Sequence, residues 1–426
     1  MTYIKNYDQL ATNDNRKVVL DLIESAYTAI QPHHVFEHNF SLDGDILKIF
    51  DQTFDLSKFN GVFLLGFGKG SAGNCKLLEE KLGDHIIDGY DIDVVEDEHF
   101  RKVHYTKGTN PLPSEQNIAF TQHAIEHLEK THENHLVIIV TCGGGSVLFE
   151  APNKLSLDEI TAVNKALLQS GADITEMNAI RKHLSRVKGG GLAKILYPAT
   201  VVNLIFSDVP GNDLSVIASG PLVSDRSTMD TVKKIVKKYG IDQKVKLPPD
   251  AFAETPTDPK YFKNVHNILM LSNHTALNAM EKLAKEKGIK AHVMTDRLQG
   301  DAKTLGEKLI NETPAGHLLL AGGESTIKVT GNGKGGRNQA LVLYALPHIK
   351  GETVLASVGS DGWDFYELAG ALADKDTMKK MEEMDIDPQP FLDDDNSYEF
   401  WTKIGDGVLT GHLDSNVSDL YIVYKP

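Results

Sequence analysis

Residues 59–82 read FNGVFLLGFGKG and then SAGNCKLLEEKL. An apolar run stops in a glycine turn, and a segment with apolar residues at helical spacing follows. Strand, glycine turn and helix make one half of a βαβ unit. The same order returns at HLVIIVTCGGGS (135–146), and ATVVNLIFSDVPG (199–211) is a strand running into an acidic loop. These runs are apolar throughout rather than alternating, as expected of a parallel sheet covered on both faces. Between them, Ser156 is the expected N-cap of a helix reaching Ser170, with Glu159 completing a capping box. Upstream, residues 14–31 place Val18, Leu20, Leu22, Ile23 and Ala26 at helical spacing.

The pattern breaks at LPPDAFAETPTDPKYF (247–262), where four prolines interrupt any periodicity. New strands follow at NILMLSN (267–273), AHVMTD (291–296), HLLLAGGE (317–324) and TVLASVGSDG (353–362). SDLYIVYKP closes the chain. The expected architecture is therefore α/β, with two α/β domains and largely parallel sheets. Residues 1–255 form a Rossmann- or flavodoxin-like N-terminal domain, and 256–426 a smaller C-terminal one.

At 426 residues the chain exceeds what a single core normally supports. A net charge of −15 argues against a nucleic-acid partner, which would call for clustered cations. Two cysteines, Cys75 and Cys142, make no disulfide framework and suit a reducing compartment. The N-terminus lacks an apolar signal segment and no run is long enough for a membrane span, so a cytoplasmic protein without membrane partners is expected.

In open α/β sheets ligands bind beyond the carboxyl ends of the strands, so the loops there carry the chemistry. Gly68 and its neighbours let a backbone approach an anion, the next helix N-terminus offers N–H groups, and Lys69 adds a point charge. The loop is no Walker A motif, and a plain turn with a solvated lysine is the competing reading. Gly144 and Gly145, with Ser146, read as an anion cradle rather than a structural turn. Arg181 and Lys182, beside His183 and ahead of Lys188 and Gly189–Gly191, are either a functional loop or a solvated basic face. Asp208 and Asp213, flanking Asn212, suit a Mg²⁺ ligand or a base for a hydroxyl. Glu324, Gly336, Arg337 and Asn338 lie in or near a loop that opens a helix, where arginine recognises phosphate. Asp361 ends a further strand. Glycine loops, isolated cations and separate carboxylates are what phosphoryl transfer requires.

Several stretches, in this order and spacing, resemble the glycerate 2-kinase family with a MOFRL-type C-terminal domain. They are CGGGSVLFEAP (142–152), RKHLSRVKGGGLA (181–193), SDVPGNDLSVIASGP (207–221), GGESTIKVTGNGKGGRNQAL (322–341), SDGWDFYELAGALAD (360–374) and GDGVLTGHLDSNVSDLYIV (405–423). The resemblance implies an active site in a cleft between two α/β domains. It implies ATP and a divalent metal, expected to be Mg²⁺, and D-glycerate converted to 2-phosphoglycerate. Lys69 and Arg337 match residues associated with that active site. Asp208 is expected as the third catalytic residue, and Asp213 and Asp361 as metal ligands. Gly68, Gly144, Gly145, Ser146, Arg181, Lys182, Asn212, Glu324, Gly336 and Asn338 are expected to contact substrate or phosphate. The chain departs from the family pattern at Gly70, Asn212, Ser360 and the segment WDFYELAGA.

Two rival readings stand beside this one. A hydroxypyruvate reductase would need a dinucleotide fingerprint, and GFGKGSAG has no glycine at its sixth position. A non-catalytic phosphometabolite-binding protein would gain nothing from so many loop carboxylates. The expected partners are D-glycerate and ATP, and a homodimer is compatible with the sequence.

Overall fold

The strand expected after Gly61 forms as Val62–Phe67 in the computed structural model, which describes residues 2–96 and 99–426. Ile86–Asp93 and Leu136–Thr141 flank it, both parallel to it. Val103–Lys107 and Thr200–Phe206 extend the sheet in parallel on the two sides, and Val265–Leu271 forms one edge. Leu136–Thr141 is buried along its whole length, which explains its unbroken apolar sequence. Gly66 is a glycine in mid-strand for a steric reason. A Cβ there would lie 2.0 Å from Asp91 Oδ1 and 2.4 Å from Cys75 Sγ.

Helices Ser71–Leu82, Glu115–Leu128 and Leu157–Ser170 follow strands of this sheet or lie between them. Ser156 caps the last of these, and Glu159 returns a bond to the Ser156 N–H, so the expected capping box is present. A three-stranded antiparallel meander, Phe40–Asp43, Ile46–Ile49 and Gln52–Asp55, precedes the large sheet. This compact unit comprises Phe36–Ser207 and Asn212–Met270. The strand NILMLSN, expected to open the second domain, instead lies at the edge of this first sheet. The Val201 N–H donates to the Asn264 carbonyl at 2.9 Å, and the Asn203 side chain to Asn267 at 2.9 Å.

The other unit contains the chain up to Val35, Asp208–Gly211 and Leu271–Pro426. Its sheet runs in the order Lys290–Asp301, His317–Thr326, Asp419–Lys425, Val354–Gly359, Leu368–Ala373 and Gly407–Leu409. The first pair is parallel, and the other four pairings are antiparallel. The parallel character expected of both sheets thus describes the first sheet, while the second is mixed. The final strand runs antiparallel between His317–Thr326 and Val354–Gly359, and Leu368–Ala373 is antiparallel to both of its neighbours.

The N-terminal helix Asp14–Ala29 belongs to this unit although it begins the chain. Asn13 caps it, and Val19, Leu20, Leu22, Ile23 and Ala26 are buried along it. It packs on the helix Asn273–Glu286. Arg16 on this helix is fully buried. Its Nη2 meets Asp374 at 2.6 Å and its Nη1 meets Asp406 at 2.8 Å. Burial works against the guanidinium charge, but the two carboxylates outweigh it and hold the pKa above its ordinary value. Among the described residues no helix is long and apolar enough to cross a membrane.

Candidate active site

Three adjacent parallel strands, Val62–Phe67, Leu136–Thr141 and Thr200–Phe206, bring their carboxyl ends to one edge of the first sheet. Gly68 sits there with φ of 116°, and a Cβ would lie 2.5 Å from the Cys142 carbonyl oxygen. That contact is open only to glycine. The Lys69 N–H donates to the Gly143 carbonyl at 2.8 Å, locking the first two loops together. The Lys69 side chain is exposed, and a Cβ on Gly144 would lie 2.7 Å from Asn110 Nδ2 and in ordinary contact with Lys69 Cγ.

The helix N-terminus expected to offer free N–H groups is already engaged. Asp93 Oδ2 accepts from the Gly70 N–H at 2.9 Å and from the Ala72 N–H at 3.1 Å. A buried internal carboxylate therefore occupies the position where an external phosphate was expected to dock. What this loop still presents is the Lys69 ammonium. Gly145 begins a single helical turn, with the half-buried Ser146 next to it. A Cβ on Gly145 would stand 3.1 Å from the Ala218 Cβ, so the loop after Thr200–Phe206 closes over this turn.

That third loop is strained. Asn212, Ala218 and Ser219 all have left-handed backbones, and Asn212 Oδ1 is buried without a hydrogen-bond partner. Such conformations concentrate at functional sites. Asp213 is exposed. The hydroxyl and N–H of Ser215 hold its carboxyl below the usual range, so it is ionised and available to a hard cation. The carbonyl of Asp208 accepts a 2.6 Å bond from the Ser418 hydroxyl.

The second unit has its own cluster around Arg337. The helix Arg337–Ala345 begins at this residue, as GKGGRNQ led one to expect. Arg337 Nε and Nη2 grip both oxygens of Asp419 at 2.6 and 3.2 Å, and Nη1 bonds Glu324. The Asp419 side chain is 4% exposed and that of Glu324 50% exposed, so the guanidinium has one permanent partner and one exchangeable one. Asn338 is buried and donates its amide to Asp419 at 3.0 Å and to Asp364 at 3.2 Å. The backbone N–H groups of Asn338 and Gln339 also point at Asp364. Gly336 has to be glycine, because a Cβ would meet the Asp364 carbonyl oxygen at 2.1 Å.

Burial raises the proton affinity of the carboxylates in this cluster. Burial, and then the charge of Asp419, push Asp364 up to about 8. Burial also raises Asp419, although Arg337 opposes the shift. Asp361 is raised by burial as well, against the Trp363 N–H, His412 and Arg337. Its Oδ1 accepts from the Trp363 N–H at 3.1 Å. Tyr27, fully buried on the N-terminal helix, donates to the Gly359 carbonyl at 3.1 Å beneath these residues. Among the described residues no group of three or more His, Cys, Asp or Glu could hold a metal ion alone.

The structure thus gathers Gly68, Lys69, Gly144 and Gly145 into one contact set, and Glu324, Gly336, Arg337 and Asn338 into another. Asn338 holds carboxylates in place rather than facing a ligand. Arg181 and Lys182 are engaged elsewhere, on the helix Ile174–His183. Arg181 Nε donates to Asn164 at 2.8 Å, and Lys182 pairs with Asp225 at 3.0 Å. Two site residues have no counterpart among the sequence expectations, Asp93 and Asp419. Asp93 is a buried carboxylate ending a strand, a weak signal in an acidic stretch. Asp419 opens the final strand, inside the family-like C-terminal segment.

Residues 18–252 match a family described as a domain of unknown function (DUF4147), and residues 317–419 match the MOFRL family. A D-glycerate 2-kinase of Thermotoga maritima is 34% identical, taking in 96% of this chain and 97% of that protein. A putative hydroxypyruvate reductase of Agrobacterium vitis is 35% identical, over 75% of this chain and 76% of that protein. A crystal structure of glycerate kinase from Thermotoga maritima has a TM-score of 0.85 at 32% identity, covering 96% of this chain and 99% of that one.

Proposed function

The chain belongs to the glycerate 2-kinase family, and on that premise we propose that it moves the γ-phosphoryl group of ATP to the 2-hydroxyl of D-glycerate. The observation that carries the reading is the arrangement at Arg337. Asp419 holds the guanidinium in one orientation, and the exposed Glu324 occupies the edge that an arriving phosphate or carboxylate would take. Bidentate geometry of this kind suits the oxygens of a transferring phosphoryl group.

Lys69 neutralises phosphate charge on a loop kept rigid by Gly68 and by its bond to Gly143. Asp208 accepts the proton of the attacking hydroxyl. Gly144, Gly145 and Ser146 line the approach to Lys69. Mg²⁺ bound with the nucleotide would offset phosphate charge, and Asp361 or the ionised Asp213 would supply a carboxylate oxygen. That fits a cation that takes one or two carboxylates and completes its shell with phosphate and water.

The reductase name of one relative sets up the alternative. Its pyrophosphate would need the N–H groups after Gly68, which Asp93 already occupies. ADP formation with D-glycerate, measured beside NAD(P)H oxidation with hydroxypyruvate, tests the reading. The expected result is Mg²⁺-dependent ADP release abolished by chelator. Hydroxypyruvate-dependent NAD(P)H oxidation without ADP release would overturn it.

A further inference from the structure

The basic motif RKHLSRVKGGG walls a cavity of about 430 Å³ in the first unit. Four cations line it, Lys182, Arg186, Lys188 and Lys194, and Arg186 pairs with Glu129 at 3.2 Å. The Lys182 and Lys188 side chains are only 9% and 3% exposed. Lys182 pairs with Asp225 and Lys188 with Glu150. An ammonium carries three N–H donors, so one carboxylate partner leaves donors over.

Thr255, 7% exposed, also lines this cavity, and its hydroxyl has no hydrogen-bond partner. Buried hydroxyls are nearly always paired, so an orphan on the wall of a cavity lined by ammonium groups points to a ligand. The wall is built for this contact. Gly189 has φ of 54°, and a Cβ there would lie 2.8 Å from Thr255 Cγ2 and 3.2 Å from Lys182 Cβ. Only a bare backbone lets the threonine sit against the lysine.

We propose that this cavity is a second anion site, taking a small phosphate monoester whose oxygens meet Lys182, Lys188 and the Thr255 hydroxyl. Its volume falls in the range of small-molecule pockets. No residue of Gly68–Gly70 or Cys142–Ser146 lines it. Its ligand therefore binds without competing at Lys69, and the site is independent of the reaction assigned above.

Calorimetric titration of the full chain with glycerol phosphate, and separately with inorganic phosphate, tests this. Wild type and Lys69→Ala are expected to bind the monoester with the same Kd. Thr255→Val should raise that Kd about tenfold, the usual effect of losing a hydrogen bond to a charged group. Lys194→Ala should raise it severalfold, and neither variant should change kcat at saturating substrate. Thr255→Ser keeps the hydroxyl and should restore binding, which also covers a Thr255→Val chain that folds poorly. Binding lost in Lys69→Ala but kept in Thr255→Val would overturn the proposal, as would the absence of binding to wild type at millimolar ligand. Equal Kd values for inorganic phosphate and the monoester would refute recognition of an ester.

Discussion

Replacing Arg337 by lysine is the most informative perturbation of the proposed reaction. The native guanidinium makes three charge-assisted bonds, two to Asp419 at 2.6 and 3.2 Å and one to Glu324. A lysine keeps the charge but cannot present a planar fork to both Asp419 oxygens and still reach a third acceptor. Two effects follow, and they separate. Removing one member of a buried pair outright costs about 3–5 kcal/mol of stability. With the charge retained, a loss of about 1–3 kcal/mol is expected in urea or thermal unfolding. Losing a contact made to the transferring phosphoryl group costs about 2–4 kcal/mol of barrier, or about 30- to 1000-fold in kcat. Steady-state kinetics with each substrate varied in turn distinguish the roles. A phosphoryl role lowers kcat with little change in either KM, whereas a grip on the glycerate carboxylate raises the KM for glycerate alone. Glu324→Gln is the companion variant. It leaves Asp419 in place, changes stability by less than about 1 kcal/mol, and should lower the KM of the anion that displaces Glu324. A folded Arg337→Lys enzyme with wild-type kinetics for both substrates would refute the assignment.

Lys69→Ala should lower turnover more than tenfold while leaving the unfolding midpoint nearly unchanged, because the loop is held by the Lys69 backbone and Gly68 rather than by the side chain; wild-type kcat/KM in this variant would remove Lys69 from the reaction. Asp364 holds its proton up to about 8 in the folded state, so the native protein binds more protons than the unfolded chain above the ordinary carboxylate range. Its contribution to stability is complete at low pH and is lost as pH rises through about 8, and Asp364→Asn should flatten the melting temperature between pH 5 and 9, in profiles measured side by side. Arg16→Met leaves Asp374 and Asp406 without their buried partner and should cost about 3–5 kcal/mol in chemical denaturation, with an unchanged midpoint counting against the N-terminal helix as an integral part of its unit.

Much of the fold was legible because its signals are local. The strand at Val62–Phe67, the turn after it and the Ser156 capping box each depend on residues within a few positions of one another. Glycine at Gly68 and Gly144 announced backbones that other residues resist, and both glycines do sit in left-handed conformations. The start of a helix at Arg337 could likewise be read from the residues around it.

Partners distant along the chain could not be read in this way. Asp93 fills the helix N-terminus after Gly70 from 23 positions away, and only the parallel register of neighbouring strands puts it there. Arg16 finds Asp406 across 390 positions, which moves the N-terminal helix into the unit built from the C-terminal half. The last strand enters the middle of the second sheet rather than its edge, and so carries Asp419 to Arg337. By itself, the sequence determined local elements such as the strand Val62–Phe67 and the helix capped by Ser156, since propensity, turns and caps act over a few residues. Only the tertiary structure decided which carboxylate meets which cation, because strand order and register are settled by burying apolar faces that lie hundreds of residues apart.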